Sequence, residues 1–169
     1  MIKKIVIFLF LCIPALAFAQ KAEQEASVKA VFIYNFTKYI DWDNNNEPDF
    51  TIGIIGNSFV TESLNEIART NSVNNKRITI KHFNKPEEIV HCDILFIPQK
   101  LPFSLESILE KVDKGVLTVS EEPGYARQGT AFNFVIVNDK LKFEANVKAI
   151  YSAGLKASSQ LLKLATIVD

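Results

Sequence analysis

The sequence predicts a single α/β domain of three layers, in which a mainly parallel sheet carries helices on both faces. Between residues 50 and 119, strand-like apolar runs alternate with helical segments, which is the pattern of β-α-β units. The run Cys92–Pro98 is almost continuously apolar, as strands covered on both faces are. Two later strand-like runs separated by Asn138 and Asp139 predict an antiparallel hairpin, and a long helix is predicted after it.

Residues Met1–Ala19 have the three parts of a secretory signal peptide. Lys3 and Lys4 are its basic start, an apolar run follows, and Ala17-Phe18-Ala19 is an A-x-A cleavage site. Cleavage after Ala19 would leave an exported mature domain of residues 20–169. No second long apolar run follows, so we expect the mature protein to be soluble rather than membrane-embedded.

Composition argues against a nucleic-acid partner and for a packed core. The chain has 19 basic and 19 acidic residues, and removal of Lys3 and Lys4 leaves it slightly acidic, without a basic stripe. A hydrophobic content of 48% and thirteen phenylalanines predict a folded domain rather than a disordered linker.

The segment Val28–Trp42 predicts a helix that is apolar over most of its circumference. At about 100° per residue, one broad face holds Val28, Phe32, Phe36, Tyr39 and Ile40. A helix this apolar is expected to be buried in a core or against a partner. Asn35 interrupts the face, and either a hydrogen-bonded core amide tied to neighbouring backbone or a ligand contact would account for it.

The predicted elements after this helix follow in chain order. A polar loop at residues 43–49 leads into the strands Phe50–Gly56, Arg77–Phe83, Cys92–Pro98 and Val116–Val119. Helices are predicted from Asn57 or Ser58 to about Arg69, and from Ser104 to just before Gly115. The turn Gly53–Ser58 fits a tight strand-to-helix connection, although a helix N-terminus there could also hold an anion.

The hairpin Thr130–Val137 and Lys140–Val147 has one apolar and one polar face. In its second strand Lys142, Glu144 and Asn146 alternate with the apolar Leu141, Phe143 and Ala145. A helix is predicted from about Lys148 to Ile167. Because glycine within a helix costs roughly 1 kcal/mol relative to alanine, Gly154 predicts that another backbone approaches closely there.

The sequence lacks the usual catalytic and metal-binding motifs. It contains no HExxH, GxSxG, Walker loop or CxxC, and adjacent residues such as His91 and Cys92 would point to opposite faces of a strand. We therefore predict no catalytic residues, no cofactor and no metal. Cys92 would be the only cysteine of the mature chain, so no intramolecular disulfide is predicted. A buried thiol or an intermolecular bridge would explain it.

Two neighbouring segments are candidate binding elements. The segment Glu121–Gly129 is a polar and aromatic loop, and loops presented by a rigid sheet often carry binding residues. Beside it lies the polar face of Lys142, Glu144 and Asn146. From composition alone, this face is equally well explained as a binding surface or as the solvent-facing side of an edge hairpin.

Four phrases of the sequence together resemble the YfiR-like family. They are VKAVFIYNFTKYIDW, CDILFI, LTVSEEPGYARQGTAFNF and LKFEANVKAIYSAGLKASSQLLKLA, and in order they cover nearly the whole mature chain. Two positions depart from the family pattern, since Asp93 stands for a histidine and Thr130 for a glycine. The cysteine partners that form disulfides in some members are missing.

The resemblance implies a periplasmic α/β regulator without catalytic activity. It implies binding and repression of the periplasmic sensor domain of an inner-membrane signalling protein, either a diguanylate cyclase that controls cyclic-di-GMP and biofilm formation or a sensor kinase. It also implies a homodimer. Carried over by position, the partner-binding residues would be Phe132, Glu144, Asn146 and Ile150.

Two other functions stay open at this point. The chain could be a small-ligand-binding sensor that uses the crevice at the carboxyl ends of the parallel strands, near Gly56–Ser58 and Val119–Glu122. An exported hydrolase is the third alternative, and the missing motifs disfavour it.

Overall fold

The computed structural model describes residues 21–42 and 47–169, and their fold is α/β, built around a mainly parallel sheet. The predicted α/β class with a mainly parallel sheet is confirmed. The predicted signal peptide, Met1–Ala19, lies outside the described residues, as does most of the predicted loop at residues 43–49.

The strands and helices of the described residues follow closely on one another. The strands are β1 (Ile40–Asp41), β2 (Asp49–Ile55), β3 (Ser72–Val73), β4 (Lys76–Phe83), β5 (Ile94–Ile97), β6 (Leu117–Ser120), β7 (Phe132–Val137), β8 (Lys140–Asn146), β9 (Lys156–Ala157) and β10 (Thr166–Val168). The helices are α1 (residues 21–36), α2 (Val60–Thr70), α3 (Leu105–Leu109), α4 (Val147–Ser152) and α5 (Ser159–Leu162), with a 3-10 turn at Pro86–Glu88.

Within the described residues, the main sheet has the strand order β10-β8-β7-β6-β5-β2-β4-β3. Pairing is parallel from β4 through β2, β5 and β6 to β7, and again between β8 and β10. The β7–β8 pair is antiparallel, as the hairpin prediction required. Asn138 and Asp139 have φ values of 51° and 57°, which is the backbone that a two-residue type I′ turn needs.

Alternate side chains of the central strands enter two separate apolar clusters. Ile54 joins the cluster that contains Phe36 of α1 and Leu64 of α2. Its neighbour Ile55 joins a second cluster with Ile108 of α3. This alternation is what a strand with both faces covered produces.

Helix α1 differs from the prediction in its end and in its buried face. It ends at residue 36, because Thr37, Lys38 and Tyr39 donate backbone hydrogen bonds to carbonyls only three residues back, and the chain then enters β1. The buried stripe of α1 consists of Ala26, Lys29, Ala30, Ile33 and Phe36, and Ile40 of β1 is buried beyond its end. Val28 and Tyr39, which were predicted inside, are exposed. The predicted face was chosen by its large apolar side chains, whereas the buried face of α1 includes the two alanines Ala26 and Ala30.

Asn35 is not the buried amide that the sequence predicted. It is only half-buried, and its Oδ1 accepts a hydrogen bond from Lys38 Nζ at 3.0 Å, on the same helix end. The prediction that it ties α1 to neighbouring backbone is therefore wrong.

The predicted helix from Lys148 to Ile167 is also wrong. The segment contains α4, β9, α5 and β10 in succession. Gly154 has a φ of +80°, and Leu155 N donates to Ile150 O at 3.1 Å, which ends α4 in the left-handed conformation that glycine favours. A Cβ on Gly154 would meet no atom within 4 Å, so close backbone approach does not explain this glycine.

Candidate functional site

A row of polar side chains crosses the sheet from its interior to its surface. Ser120, Asn133, Glu144 and Thr166 are direct neighbours on β6, β7, β8 and β10. Ser120 Oγ lies 2.7 Å from Thr130 Oγ1 and donates to Asn133 Oδ1 at 2.8 Å. Asn133 Nδ2 in turn donates to Glu144 Oε2 at 3.3 Å. Ser120 and Asn133 are fully buried, Glu144 is half-buried and Thr166 is exposed, so the row reaches solvent at Glu144 and Thr166.

Asn146 joins the hairpin, the loop that precedes it and the following helix. Its Nδ2 donates to Ala126 O at 2.7 Å, and its Oδ1 accepts from Ala149 N at 2.9 Å, which makes it the N-cap of α4. Its backbone N donates to Ala131 O at 2.9 Å. The loop of residues 121–131 is thereby held against the end of β8.

The structure brings the four predicted partner-binding residues together at the β7–β8 pair and the start of α4. Phe132 is 0% exposed, and its ring centroid lies 4.6 Å from that of Phe36. Ile150 and Asn146 are 2% and 6% exposed. Among these four, Glu144 has the accessible side chain, and a partner-binding role for the group stays a prediction.

A buried ion pair attaches α1 to the carboxyl end of β6. Lys29 Nζ lies 2.5 Å from Glu121 Oε2 and 2.6 Å from Glu25 Oε1, and the Lys29 and Glu121 side chains are about nine-tenths buried. Burial lowers the pKa of Lys29, but its hydrogen bonds and charge interactions with Glu121 and Glu25 outweigh burial, so that the pKa is raised. Lys29 therefore stays protonated at neutral pH.

This ion pair borders a crevice at the carboxyl ends of β2, β5 and β6. The crevice has a volume of about 340 Å³, and it is lined by residues of both segments that the ligand-binding alternative named, including Asn57, Ser58 and Glu121. Glu121 Oε1 also accepts from Gln99 N at 3.3 Å. The crevice lies where open α/β sheets commonly hold ligands.

Nothing in the described ranges 21–42 and 47–169 forms a metal-binding cluster of three or more histidine, cysteine or acidic side chains. Cys92 is fully buried, and burial followed by the nearby charge of Asp93 raises the pKa of its thiol to about 12. A protonated, inaccessible thiol is a poor nucleophile. The expectation that Cys92 is a buried residue is confirmed.

Asp93, one of the two departures from the family pattern, is a buried structural residue. It is 2% exposed, and its Oδ2 accepts a hydrogen bond from Thr51 N at 2.7 Å. The backbone of Asp93 also bonds to β2 and to Leu117, so this residue joins the starts of three adjacent strands.

Sequence reasoning missed the buried polar row and the ion pair. Thr118 and Ser120 alternate with apolar residues in LTVS, which was a signal for hydrogen-bonded side chains on one face of β6. Lys29 gave a weaker signal, as a cation within an apolar helix that needs a carboxylate partner. Its partner Glu121 lies 92 residues away, and no local pattern joins them.

No helix in the described part of the chain combines the length and the hydrophobicity needed to cross a bilayer.

Comparison with known proteins gives a family match and a distant structural similarity. No curated protein sequence matches the chain. Among solved structures, the chain is similar to the ABC domain in complex with L-Trp from Streptococcus pneumonia, with 13% identity and a TM-score of 0.46. That similarity covers 71% of this chain and 55% of the other, so the chain spans about half the length of that structure. At this TM-score the similarity supports no conclusion about function.

The family match extends over residues 26–166, from α1 to β10. The matching family is described as YfiR/HmsC-like, DUF4154, and its members are periplasmic regulatory proteins associated with cyclic-di-GMP signalling. Since the match covers most of the chain, this protein belongs to the YfiR/HmsC-like family.

Proposed function

We propose that this protein is a non-enzymatic periplasmic regulator that binds the periplasmic sensor domain of an inner-membrane signalling protein and represses it. We infer a diguanylate cyclase as the partner, so that binding would lower cyclic-di-GMP synthesis and biofilm formation. A sensor kinase is the alternative membrane partner. Membership of the YfiR/HmsC-like family is the observation that carries this proposal.

We propose Glu144 as the residue that contacts the partner directly. Its carboxylate has a fixed hydrogen-bond donor in Asn133 and is still accessible to solvent. A side chain that is ordered before binding loses less conformational entropy when the complex forms. In this proposal the buried Phe132, Asn146 and Ile150 hold β7, β8 and α4 in place beneath the contact.

The test is a crosslinking pull-down from the native membrane fraction, followed by affinity measurements on the captured sensor domain. We expect Glu144→Arg to weaken binding at least tenfold, since charge reversal at a contact costs more than about 1.4 kcal/mol. Glu106→Arg, on the exposed side of α3, is the matched control and should bind as wild type. Equal affinity of the wild type and the Glu144→Arg protein, with both folded by circular dichroism, would reject this contact.

Export and assembly belong to the same proposal. We propose that the signal peptide is cleaved after Ala19, which N-terminal sequencing of the periplasmic protein tests. We also propose a homodimer, which sedimentation equilibrium of the mature chain tests. A periplasmic protein that still carries residues 1–19 would contradict cleavage after Ala19. A protein that stays monomeric at all concentrations would contradict the homodimer.

A small-ligand sensor is the second candidate function. The observation that favours it is the crevice in which Asn57 and Ser58 lie close to Gln99 and Glu121. A metabolite that binds there should raise the melting temperature of the wild type but not of an Asn57→Trp variant, which fills the crevice. If no metabolite of a broad library raises the melting temperature, the protein-partner function alone would be favoured.

A further inference from the structure

Phe59 occupies a position that the stability of the fold does not explain. Its side chain is 66% exposed where β2 leads into α2. Its own backbone is already helical, with φ −63° and ψ −19°, and its side chain makes no capping hydrogen bond. Ser58 Oγ instead accepts from Val60 N at 3.2 Å. Phe59 thus contributes neither a cap nor a buried side chain.

Three crevices meet at Phe59. One is the 340 Å³ crevice beside Lys29, another, of about 390 Å³, includes Asn57 and His82, and the third, of about 530 Å³, runs between α1 and α2. Aromatic residues, phenylalanine among them, are enriched at protein interfaces relative to the rest of the surface, so an exposed phenylalanine ring beside concave surfaces indicates a binding surface.

The crevice between α1 and α2, named here the α1–α2 groove, carries charge of one sign. Its charged lining residues are Glu23, Glu62 and Glu66. Ser27 Oγ and Ser63 Oγ lie 3.0 Å apart and join the two helices across it. Glu62 also lies 3.7 Å from Arg69 Nη2, but both side chains are about 70% exposed, and such pairs are weak enough to be replaced.

We propose that Phe59 and the α1–α2 groove form a second docking surface, which takes a basic amphipathic segment of a protein partner. An apolar side chain of that segment packs against the Phe59 ring, and its lysine or arginine side chains pair with Glu23, Glu62 and Glu66. Complementary charge selects the partner and speeds encounter, and the aromatic contact supplies most of the affinity.

This surface is separate from the one around Glu144. Strand β2 leads into Phe59, and β5, β6 and β7 lie between it and β8, which carries Glu144. Four strand spacings of about 4.8 Å place the two surfaces roughly 19 Å apart. The protein could therefore hold a membrane partner at Glu144 and a basic segment at Phe59 at the same time.

The test uses two synthetic twelve-residue peptides, one of alternating lysine and leucine pairs and one in which glutamate replaces every lysine. We expect the mature protein to bind the basic peptide with an affinity that falls as salt rises, and not to bind the acidic one. Amide chemical shifts should change in α1, α2 and residues 57–59. Phe59→Ala should weaken binding about tenfold, and the double change Glu62→Lys and Glu66→Lys should abolish it.

Two variants serve as matched controls for the peptide-binding experiment. Leu164→Ala removes a similarly exposed apolar side chain that does not line the groove, and Glu106→Lys reverses an exposed charge on α3, so both should bind the basic peptide as wild type. The proposal is overturned if the basic peptide fails to bind, if it binds every variant equally, or if the shifts lie outside the groove. It is also overturned if Phe59→Ala dissociates a dimer, because a second copy would then occupy the surface.

Discussion

At the scale of single residues, Lys29 shows how one cation positions a whole helix. It is the buried charge of α1, and it joins that helix to Glu121, at the point where β6 ends and the loop of residues 121–131 begins. The same loop is held at Ala126 by Asn146, which caps α4. Helix α1, the loop and the hairpin that carries Glu144 are therefore mechanically connected.

Lys29→Met should destabilise the protein by about 3 kcal/mol, because Glu121 is then left buried without its cation. Urea unfolding measures the change. Arg77→Ala, which breaks the exposed pair with Asp49, is the control and should change the free energy of unfolding far less. Equal effects from the two substitutions would contradict a structural role for the buried pair.

The same lysine predicts a dependence of stability on alkaline pH. Because the pKa of Lys29 is raised in the folded state, its contribution is complete below the ordinary value of 10.5 and is lost as pH rises through the folded value. The melting temperature of the wild type should fall more steeply above pH 10.5 than that of the Lys29→Met protein. Parallel curves would show that the pKa of Lys29 is the same in the folded and unfolded chain.

Cys92 should be chemically silent in the folded protein. Burial and a pKa raised to about 12 keep its thiol protonated and out of reach. A thiol reagent such as dithionitrobenzoate at pH 8 should therefore react with the mature protein only after denaturation. Rapid labelling of the native protein, or a dimer that reducing agent dissociates, would support the intermolecular bridge instead.

At the scale of elements, the parallel strands were predictable and the C-terminal segment was not. Strands β2, β4, β5 and β6 follow from apolar runs bounded by turn residues, and the hairpin follows from Asn138 and Asp139. Residues after Asn146 have a helical pattern, but the positive φ of Gly154 and the Ser158 cap divide them into short pieces. Pairing of β9 with β1 and of β10 with β8 decides their structure, and neither partner is local.

Substitution of Gly154 by alanine distinguishes the observed break after α4 from the continuous helix that the sequence predicted. The free energy of unfolding should change in opposite directions in the two cases. In the structure described here, Gly154→Ala should destabilise by about 1 kcal/mol, because a left-handed backbone strains a residue with a Cβ. In a continuous helix the same change would stabilise by about 1 kcal/mol. Gly115→Ala, at a φ of +85° with equally open surroundings, is the matched control and should destabilise similarly in thermal unfolding.

At the scale of the whole molecule, the sequence predicted the class of fold and the family, while the position of each site residue required the structure. Alternating hydrophobicity predicts that the Phe143 side chain is buried and that the Glu144 side chain faces solvent, because successive side chains of a strand point to opposite faces of the sheet. It placed Asn146 outside as well, but the strand ends there and the amide turns inward to cap α4. The row from Ser120 to Glu144 arises from strand order, which the sequence alone does not determine.

Repression of a membrane signalling protein through the surface at Glu144 is the function proposed for this protein. The most direct measurement is cyclic-di-GMP synthesis by the full-length cyclase in proteoliposomes, with purified mature protein added on the side of the periplasmic domain. We predict that wild type and Glu106→Arg lower the rate in a saturable way and that Glu144→Arg leaves it unchanged. A rate that is unaffected by the wild type would rule out repression, and a rate equally lowered by the Glu144→Arg protein would rule out Glu144 as the contact.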